Sequence, residues 1–393
     1  MGSTYLVDGA RTAFGSFGGS FKAEQADNLG AATAKEALKR ANVSADLVDQ
    51  IFYGNVIHSH TNAAYLARHI GLKAGVPQEV PALTLNRLCG SGAQSVVSAA
   101  QALMLGEGEI ALAGGAENMS MAPFSNFSQR FGGKKMGALS FEDMLTSTLT
   151  DEYAGSGMGM TAEKLAEQYG ISREEQDAFA LESQQRASAA RESGRFAEEI
   201  VPYEVKTRKG TVTVDQDEHI KSDASLEKLA QLRPSFQKDG TVTAGNASGI
   251  NDGAASMIVA TDSAVEKHGL QPMARIISWG IAGVDPTIMG IGPVPAIKQA
   301  LKRAELTLDD IDLIEVNEAF AAQYLAVEKE LGLDRSKTNL NGGAIALGHP
   351  VGVSGTRLLL SLAYELKNKG KKYGIASLCI GGGQGIAVLI EAV

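Results

Sequence analysis

The sequence predicts a layered α/β protein that is built from two copies of one unit with a third segment inserted between them. The stretch "ALKRANVSADLVDQIFYGN" at 37–55 recurs as "ALKRAELTLDDIDLIEVNE" at 300–318, an offset of 263 (300 minus 37). The same offset of 263 relates Ser91 to Ser354, so the register holds without a gap from residue 37 to Ser91. Apolar runs typical of strands alternate with helical patterns in both copies. A preserved register over two segments indicates an internal duplication.

Each copy has the same order of predicted elements. In the first copy, IFYGNVI, ALTL and EIALAGG are predicted strands, and SGAQSVVSAAQALMLG is a predicted helix that Gly106 closes. In the second copy, IDLIEV, YGIASLCI and GIAVLIEAV are predicted strands, and VSGTRLLLSLAYELKNKG is the predicted helix. Such alternation favours parallel or mixed sheets with helices on both faces. Two sheets that share central helices would give five layers, αβαβα.

Residues 120–248 do not follow this alternation. They contain an aromatic, glycine-rich stretch (PFSNFSQRFGGKKMGALSF), a charged amphipathic helix (SREEQDAFALESQQRASAARESG) and a polar, strand-rich piece (VKTRKGTVTVDQDEHIK). We interpret this segment as a loop domain that covers a ligand or makes subunit contacts. The predicted domains are residues 1–119 with 249–270, the loop domain at 120–248, and residues 271–393.

Composition and charge exclude several classes of protein. The net charge is -9, the isoelectric point is near 5.3, and no run of five Lys or Arg occurs, which argues against nucleic acid binding. No stretch of about 20 apolar residues is present, and the first residues lack a signal sequence, so we expect a cytoplasmic protein with no membrane partner. The two cysteines are 290 positions apart (379 minus 89), which fits neither a disulfide framework nor a zinc site.

Cys89 lies in "RLCGSG", where a predicted strand ends and a helix begins. It could be a small buried hydrophobic residue, since free cysteine is among the most buried residue types. At a helix N-terminus, however, free N–H groups and the helix dipole favour a thiolate, so we expect the pKa of Cys89 to lie below its ordinary value of about 8.5. The sequence therefore favours a nucleophile that accepts an acyl group.

Three further residues fall at comparable places in the second copy. His349 lies three positions before residue 352, the counterpart of Cys89 (89 plus 263), and the equivalent turns of a duplicated body are expected to face each other. Cys379 ends a buried strand and enters "IGGGQG", a turn whose backbone N–H groups could form an oxyanion hole. Asn317 also follows a buried strand and could fix a water molecule or a carbonyl group. A Cys–His pair is the minimum for activating a thiol.

As a set, RLCGSG, NEAF at 317–320, NGGAIALGHPVGVSG at 341–355 and LCIGGGQG at 378–385 resemble the signature blocks of the thiolases. The resemblance runs from ARTAFGSFGG to the C-terminus. It implies a thiolase fold of five layers, αβαβα, with two duplicated βαβαβαββ halves and a loop domain. It also implies a coenzyme A (CoA) thioester substrate, no metal or other cofactor, and a homo-oligomer.

The resemblance also assigns roles to individual residues. Cys89 would carry the acyl group, His349 would take its proton, and Cys379 would exchange the α-proton of the substrate. Asn317 would hold a water molecule, and the N–H groups of Cys89 and Gly381 would bind the oxyanion. The residues expected against CoA are Leu149, Met158, Lys221, Ser248, Ala319 and Phe320.

The expected activity is that of an acetyl-CoA C-acetyltransferase, which condenses two acetyl-CoA to acetoacetyl-CoA and CoA and also catalyses the reverse thiolysis. Gly157 stands where short-chain relatives often have His, so a 3-ketoacyl-CoA thiolase of broader chain length is the alternative. A ketoacyl synthase would have His where Cys379 stands, and a non-catalytic CoA or lipid binder would have no need of both cysteines. Phe124, Phe127, Phe131 and Phe141 lie in one glycine-rich stretch, which predicts a tetramer formed through the loop domain.

Overall fold

The computed structural model describes residues 2–393, and sixteen strands and twelve helices are assigned in this range. The strands are β1 (Thr4–Arg11), β2 (Gly15–Ser16), β3 (Gln50–Gly54), β4 (Ala82–Leu85), β5 (Ile110–Asn118), β6 (Phe124–Ser125), β7 (Glu142–Asp143), β8 (Thr150–Asp151), β9 (Ser156–Gly157), β10 (Tyr203–Thr207), β11 (Gly210–Val214), β12 (Asn251–Thr261), β13 (Ala274–Gly283), β14 (Leu313–Val316), β15 (Tyr373–Ile380) and β16 (Gln384–Ala392). The helices are α1 (Ala26–Arg40), α2 (Leu66–Ala74), α3 (Ser91–Met104), α4 (Met144–Thr148), α5 (Met158–Tyr169), α6 (Arg173–Glu192), α7 (Leu226–Ala230), α8 (Asp262–His268), α9 (Pro293–Ala304), α10 (Ala321–Leu331), α11 (Ala344–Leu347) and α12 (Ser354–Lys369).

The duplication is visible in where the elements begin. Strands β3 and β14 begin at residues 50 and 313, helices α3 and α12 at 91 and 354, and strands β5 and β15 at 110 and 373. Each pair differs by 263, the offset found in the sequence. The first half has the order β1-α1-β3-α2-β4-α3-β5-β12, which is the expected βαβαβαββ. In the second half, a single parallel bridge between Ile314 and Thr338 stands where β4 lies in the first.

The strands of the two halves are joined into one mixed sheet. Its order is β14-β15-β16-β13-β1-β12-β5-β3-β4, with β2 paired to β12. The halves meet where β1 and β13 run antiparallel, and only Thr4, Tyr5 and Leu6 pair across that junction. We predicted two separate sheets, whereas the structure connects them through this short antiparallel contact between the first strands of the two halves.

The core confirms the five layers. Helices α3 and α12 form the central layer, and one hydrophobic cluster joins Val97 and Leu359 from these helices to Ala113 of β5 and Leu378 of β15. A second cluster packs α1 and α2 on the outer face of the first half, and a third packs α9 and α10 on the outer face of the second half. The ends of α3 and α12 that begin at Ser91 and Ser354 therefore lie between the two halves, where the predicted catalytic turns are found.

The segment from 119 to 250 carries the remaining elements, β6 to β11 and α4 to α7. The predicted charged helix is α6, which begins after Ser172 in a capping box with Glu175, and the predicted strand-rich piece contains the hairpin β10–β11. Helix α5 was not predicted. The division into domains stays a prediction, and its limit after residue 119 falls within a short 3-10 helix, Met119–Met121.

Candidate active site

A cavity of about 460 Å³ lies where the two halves and the inserted segment meet. Cys89, His349 and Cys379 all line it, although His349 and Cys379 are far from Cys89 in sequence. Its other walls are mainly apolar and come from the inserted segment and the second half. They include Met119, Leu149, Gly157, Met158, Phe236, Ala247, Ser248, Ile250, Met289, Ala319, Phe320 and Val351.

The turn that carries Cys89 is held by side chains on both of its flanks. Leu88 has a left-handed backbone, with φ of 46°, which is unfavourable for a leucine. The side chain of Asn86 accepts the Leu88 N–H at 2.8 Å. The Ser91 hydroxyl accepts the Arg87 N–H at 2.8 Å and donates to the Leu88 carbonyl at 2.7 Å. These hydrogen bonds fix the strained turn that presents the Cys89 thiol to the cavity.

The expected depression of the Cys89 pKa was wrong. Burial raises the pKa of the Cys89 thiol to about 11, and Glu117 adds to this rise. Hydrogen bonds from the backbone N–H groups of Gly381 and of Cys89 itself oppose the rise but do not overcome it. Helix α3 begins two residues later, as predicted, yet the dipole of its N-terminus does not offset desolvation. The thiol is therefore protonated at neutral pH and requires a base.

The same two N–H groups were predicted as the oxyanion hole. Both favour the thiolate form of Cys89 by lowering its pKa. The side chains of Leu88 and Met158 pack closely against Gly381. A Cβ atom at this position would lie only 3.3 Å from Leu88 Cδ1 and from Met158 Sδ. The structure thus brings the Gly381 N–H group close to the Cys89 thiol, and the role of these two N–H groups as an oxyanion hole stays a prediction.

His349 is buried and is held at three of its atoms. Its backbone N–H donates to Asn251 Oδ1 at 3.0 Å, and its Nδ1 lies 2.6 Å from the hydroxyl oxygen of Ser354. Its Nε2 lies 3.4 Å from Asn317 Nδ2. The predicted residues His349 and Asn317 are therefore in contact, while Asn317 Oδ1 is buried without a partner among the described residues.

Burial and the nearby Arg357 lower the pKa of His349 to about 3. The imidazole of His349 is therefore neutral at physiological pH and can accept a proton. Since His349 is neutral and Cys89 is protonated, the two residues form no ion pair in the resting site. Proton transfer has to accompany the attack of the sulfur on a carbonyl carbon.

Cys379 is fully buried near the end of β15, opposite Gly385 of β16. Burial and the proximity of Cys89 raise its pKa well above the ordinary value of a thiol. A protonated thiol at this position can donate a proton to a carbanion and, as a thiolate, can remove one from an α-carbon. Its location thus fits the predicted acid–base role.

Glu117, which was not among the predicted site residues, is a fully buried carboxyl group at the end of β5. It accepts hydrogen bonds from Asn55 Nδ2 and from the backbone N–H groups of Val56, Ile57 and Gly352, at 2.9 to 3.1 Å. Gly352 is the counterpart of Cys89 in the second half and lies three residues after His349. Glu117 thereby ties the turn of His349 to the first half. The signal that could have identified Glu117 in the sequence is its position just after a pair of glycines at the end of a buried strand.

Replacing Glu117 with glutamine should destabilise the protein. The amide nitrogen of glutamine cannot accept a hydrogen bond, so at least one pair of the four donors loses its acceptor. An unsatisfied buried donor costs about 1–3 kcal/mol, so we expect the free energy of unfolding to fall by about 3 kcal/mol. Urea unfolding measures this, with Glu109→Gln on the exposed surface as the control. Equal stability of the two variants would contradict the conclusion that Glu117 ties the turn of His349 to the first half.

Of the six residues expected against CoA, five line the cavity: Leu149, Met158, Ser248, Ala319 and Phe320. The Ser248 N–H donates to the Ala319 carbonyl at 2.9 Å, which joins the inserted segment to the second half. Phe236, which was not predicted, packs edge to face on Phe320 with ring centroids 6.0 Å apart. The structure does not place Lys221 in this cavity; its side chain is exposed at a separate groove beside Gln184 and Ser188.

Two further properties concern the described residues alone. Within residues 2–393, no group of three or more His, Cys, Asp or Glu is arranged to hold a metal ion. No helix in this range is long and apolar enough to cross a membrane.

Comparisons with known proteins give concordant matches. The family models described as the N-terminal and the C-terminal domain of thiolase match residues 4–263 and 270–392. The mitochondrial 3-ketoacyl-CoA thiolase of Homo sapiens is 54% identical over 388 residues, which are 99% of this chain and 98% of that protein. An acetyl-CoA acetyltransferase of Rhizobium meliloti (strain 1021) is 51% identical over 390 residues, with coverage of 99% and 98%. The crystal structure of the human mitochondrial 3-ketoacyl-CoA thiolase in complex with CoA superposes with a TM-score of 0.97 at 52% identity, covering 100% of this chain and 98% of that one.

Proposed function

The chain belongs to the thiolase family of acyltransferases, and we propose that it condenses two acetyl-CoA to acetoacetyl-CoA and CoA and catalyses the reverse thiolysis. The family resemblance and the enzyme class predicted from the sequence are confirmed. One observation carries the proposal: two thiols and one neutral imidazole line a single cavity, and the N–H groups of Cys89 and Gly381 favour the thiolate of one of them. Cys379 also argues against the ketoacyl synthase alternative.

The first half-reaction forms an acyl-enzyme. The Cys89 sulfur attacks the carbonyl carbon of acetyl-CoA while its proton passes to Nε2 of His349. The N–H groups of Cys89 and Gly381 stabilise the oxyanion of the tetrahedral intermediate. When the intermediate collapses, the carbon–sulfur bond to CoA breaks, and His349 returns the proton to the departing CoA thiolate. Acetyl-Cys89 and free CoA result.

The second half-reaction forms the new carbon–carbon bond. Cys379 first gives its own proton to Nε2 of His349. As a thiolate that its raised pKa makes strongly basic, it then removes an α-proton from a second acetyl-CoA. The enolate oxygen is held by the Nε2–H group of the protonated His349 and by a water molecule on Asn317, whose buried Oδ1 has no partner among residues 2–393. The carbanion attacks the acetyl carbon on Cys89, and the Cys89 thiolate leaves and takes back a proton from Nε2 of His349. Thiolysis runs through the same steps in reverse.

The proposed substrates are CoA thioesters. Support comes from the five predicted contact residues that line the cavity and from the human relative, whose crystal structure is titled as a complex with CoA. The largely apolar walls suit the pantetheine arm and an acyl chain. No metal or other cofactor has a part in the proposed steps.

Thiolysis of acetoacetyl-CoA by the purified protein tests the proposal. The ultraviolet absorbance of the acetoacetyl-CoA enolate should fall only when CoA is added, and acetyl-CoA should accumulate at two molecules per acetoacetyl-CoA consumed. A protein that binds acetoacetyl-CoA without this loss would instead be the non-catalytic relative.

A thiolase of broader chain length is the second candidate, and Gly157 favours it. A Cβ atom at Gly157 would meet nothing closer than the Leu149 carbonyl oxygen at 3.6 Å, so the cavity is open at this point. With φ of -72° and ψ of 160°, other residues fit this backbone without strain. The space that relatives with a histidine here would fill is available to a longer acyl chain.

Replacing Gly157 with leucine should reduce activity on long substrates more than on short ones. The side chain would project into the open part of the cavity, where hydrophobic discrimination is worth about 10- to 200-fold per methylene-sized change. We expect kcat/KM for 3-ketodecanoyl-CoA to fall about 50-fold relative to acetoacetyl-CoA in the same variant. An equal change for both substrates would show that Gly157 does not border the acyl chain.

We also propose a homotetramer that forms through the loop domain, because four phenylalanines of one segment are exposed: Phe124, Phe127, Phe131 and Phe141. Light scattering should give a mass of about four times 41.1 kDa. The double change of Phe127 and Phe131 to serine removes the two most exposed of these rings and should yield a smaller species. Tyr153→Ser is the control, since Tyr153 is equally exposed elsewhere in the inserted segment. A monomeric wild-type protein at micromolar concentration would contradict this assembly.

The cytoplasmic location stays a prediction. The human relative is named as mitochondrial, whereas the name of the Rhizobium meliloti relative includes no compartment. Fractionation of the source cells, with this protein detected by antibody, tests the prediction directly.

A further inference from the structure

The two central helices begin with serines that the duplication relates to each other. Ser91 is the first residue of α3, Ser354 is the first residue of α12, and 91 plus 263 is 354. Both serines are fully buried. Each follows a turn that carries a predicted catalytic residue, Cys89 in the first half and His349 in the second. A difference in what these hydroxyl groups bind therefore bears on the chemistry of the site.

In the first half, the backbone satisfies the hydroxyl group of Ser91 completely. It accepts the Arg87 N–H at 2.8 Å and donates to the Leu88 carbonyl at 2.7 Å. In the second half, the counterpart of Arg87 is Pro350 (87 plus 263), and proline has no N–H. No N–H group of residue 350 therefore donates to the hydroxyl oxygen of Ser354. Nδ1 of His349 lies 2.6 Å from that oxygen instead.

The direction of this hydrogen bond follows from the second contact of Ser354. Its hydroxyl oxygen lies 3.1 Å from the Pro350 carbonyl, which can only accept. When the Ser354 hydroxyl donates to the Pro350 carbonyl, as its counterpart Ser91 donates to the Leu88 carbonyl, His349 Nδ1 is the donor to Ser354. This leaves the lone pair of the imidazole on Nε2, and the amide nitrogen of Asn317, 3.4 Å away, is placed to donate to that lone pair.

We propose that Ser354 is a positioning residue that fixes His349 as the Nδ1–H tautomer, so that Nε2 is the atom that receives the proton of Cys89. This inference rests on the proposed function, since it concerns the base of that reaction. In the other tautomer Nε2 would carry a hydrogen and could not accept the thiol proton. Ser354 touches neither substrate nor reacting atoms and acts only through His349.

A hydroxyl group suits this role better than a carboxylate would. A buried aspartate at this place would stabilise the imidazolium and hold the proton of Cys89 on His349. Ser354 is uncharged, and burial keeps the pKa of His349 near 3, so the proton returns readily to the departing thiolate. The imidazole is oriented without being made a strong base.

The test uses four variants of the full-length protein. Ser354→Ala removes the hydroxyl, and Ser354→Thr and Ser354→Val form a pair of equal shape that differs in the hydroxyl alone. Ser361→Ala is the control: this buried serine lies two turns further along α12 and donates to Glu199 at 2.9 Å, away from the cavity. The readouts are kcat and KM for thiolysis of acetoacetyl-CoA and the pH dependence of alkylation of Cys89 by iodoacetamide, located by peptide mass spectrometry.

We expect Ser354→Ala to lower kcat about 100-fold with little change in KM, since the loss of a correctly placed base typically costs about 10²–10⁴-fold. Alkylation of Cys89 at neutral pH should slow at least tenfold and its pH profile should move to higher pH, whereas Ser361→Ala should match the wild type. Ser354→Thr should exceed Ser354→Val at least tenfold in kcat, whatever strain the added methyl group causes in both.

Equal kcat values for the threonine and valine variants would overturn the proposal, and so would an alkylation profile of Ser354→Ala identical to that of Ser361→Ala. If Ser354→Ala does not fold, the threonine and valine pair decides. Failure of the proposed function is recognised separately: the wild-type protein would then show no CoA-dependent thiolysis, while alkylation of Cys89 would still report whether Ser354 controls its proton acceptor.

Discussion

Cys379→Ala should retain the acylation of Cys89 but lose most condensation and thiolysis. Acylation requires only Cys89, His349 and the two N–H groups at the Cys89 sulfur, and alanine at 379 leaves these in place. Proton exchange at the α-carbon has no other thiol available, because Cys89 and Cys379 are the only cysteines. Removing a general acid–base group typically costs about 10²–10⁴-fold, and we expect a loss near the upper end for turnover.

Two measurements separate these effects. The initial burst of CoA release from acetyl-CoA should keep its wild-type amplitude in Cys379→Ala. Exchange of acetyl-CoA methyl protons with deuterated water should stop in this variant. Cys379→Ser, which retains a weaker acid–base group of similar size, is the matched variant for packing. Loss of the burst with the fold intact would mean that the roles of the two thiols have been exchanged.

His349→Ala should abolish both half-reactions. The pKa of Cys89 is raised to about 11, so at neutral pH almost none of the thiol ionises without a base. The same imidazole also holds the enolate in the second half-reaction, so its loss affects both barriers. We expect kcat to fall at least about 10⁴-fold, which combines two contributions of roughly 10² or more each. Burst amplitude and proton exchange should both disappear, and His268→Ala on α8 is the control.

The pH dependence of the wild-type enzyme provides an independent check on His349. Its pKa is lowered to about 3, so the neutral, proton-accepting form predominates above that pH and is lost only as the pH falls through about 3. Between pH 5 and 8, kcat should therefore show no acid limb from this residue. An acid limb near pH 6.5 that disappears in Ser354→Ala would show that the imidazolium is much more stable than its burial implies.

The internal repeat was enough to predict how His349 reaches Cys89. An offset of 263 placed His349 three residues before the counterpart of Cys89, and facing turns follow from the symmetry of a duplicated body. The observed starts of β3, α3 and β5 and their partners keep that offset. Patterns of apolar residues identified these elements because buried strands and helices repeat with different periods.

Quantities that depend on the surroundings of a residue could not be predicted in this way. The dipole at the start of α3 suggested a lowered pKa for Cys89, but desolvation by distant parts of the chain has the larger effect. Glu117 and Ser354 act through hydrogen bonds whose partners are set by tertiary structure, and a lone glutamate or serine in a sequence has no distinctive signal. Lys221 was assigned by resemblance alone, and its exposed side chain lies away from the cavity.

The most direct test of the account is to locate the acyl group. The wild-type protein would be incubated briefly with acetyl-CoA labelled in the acetyl group, quenched in acid, digested and analysed by mass spectrometry. We expect one acetyl group per chain, on the peptide that contains Cys89, and removal of the label when CoA is added. Label on Cys379 alone, or no acetylated cysteine in a protein that turns over acetoacetyl-CoA, would contradict it.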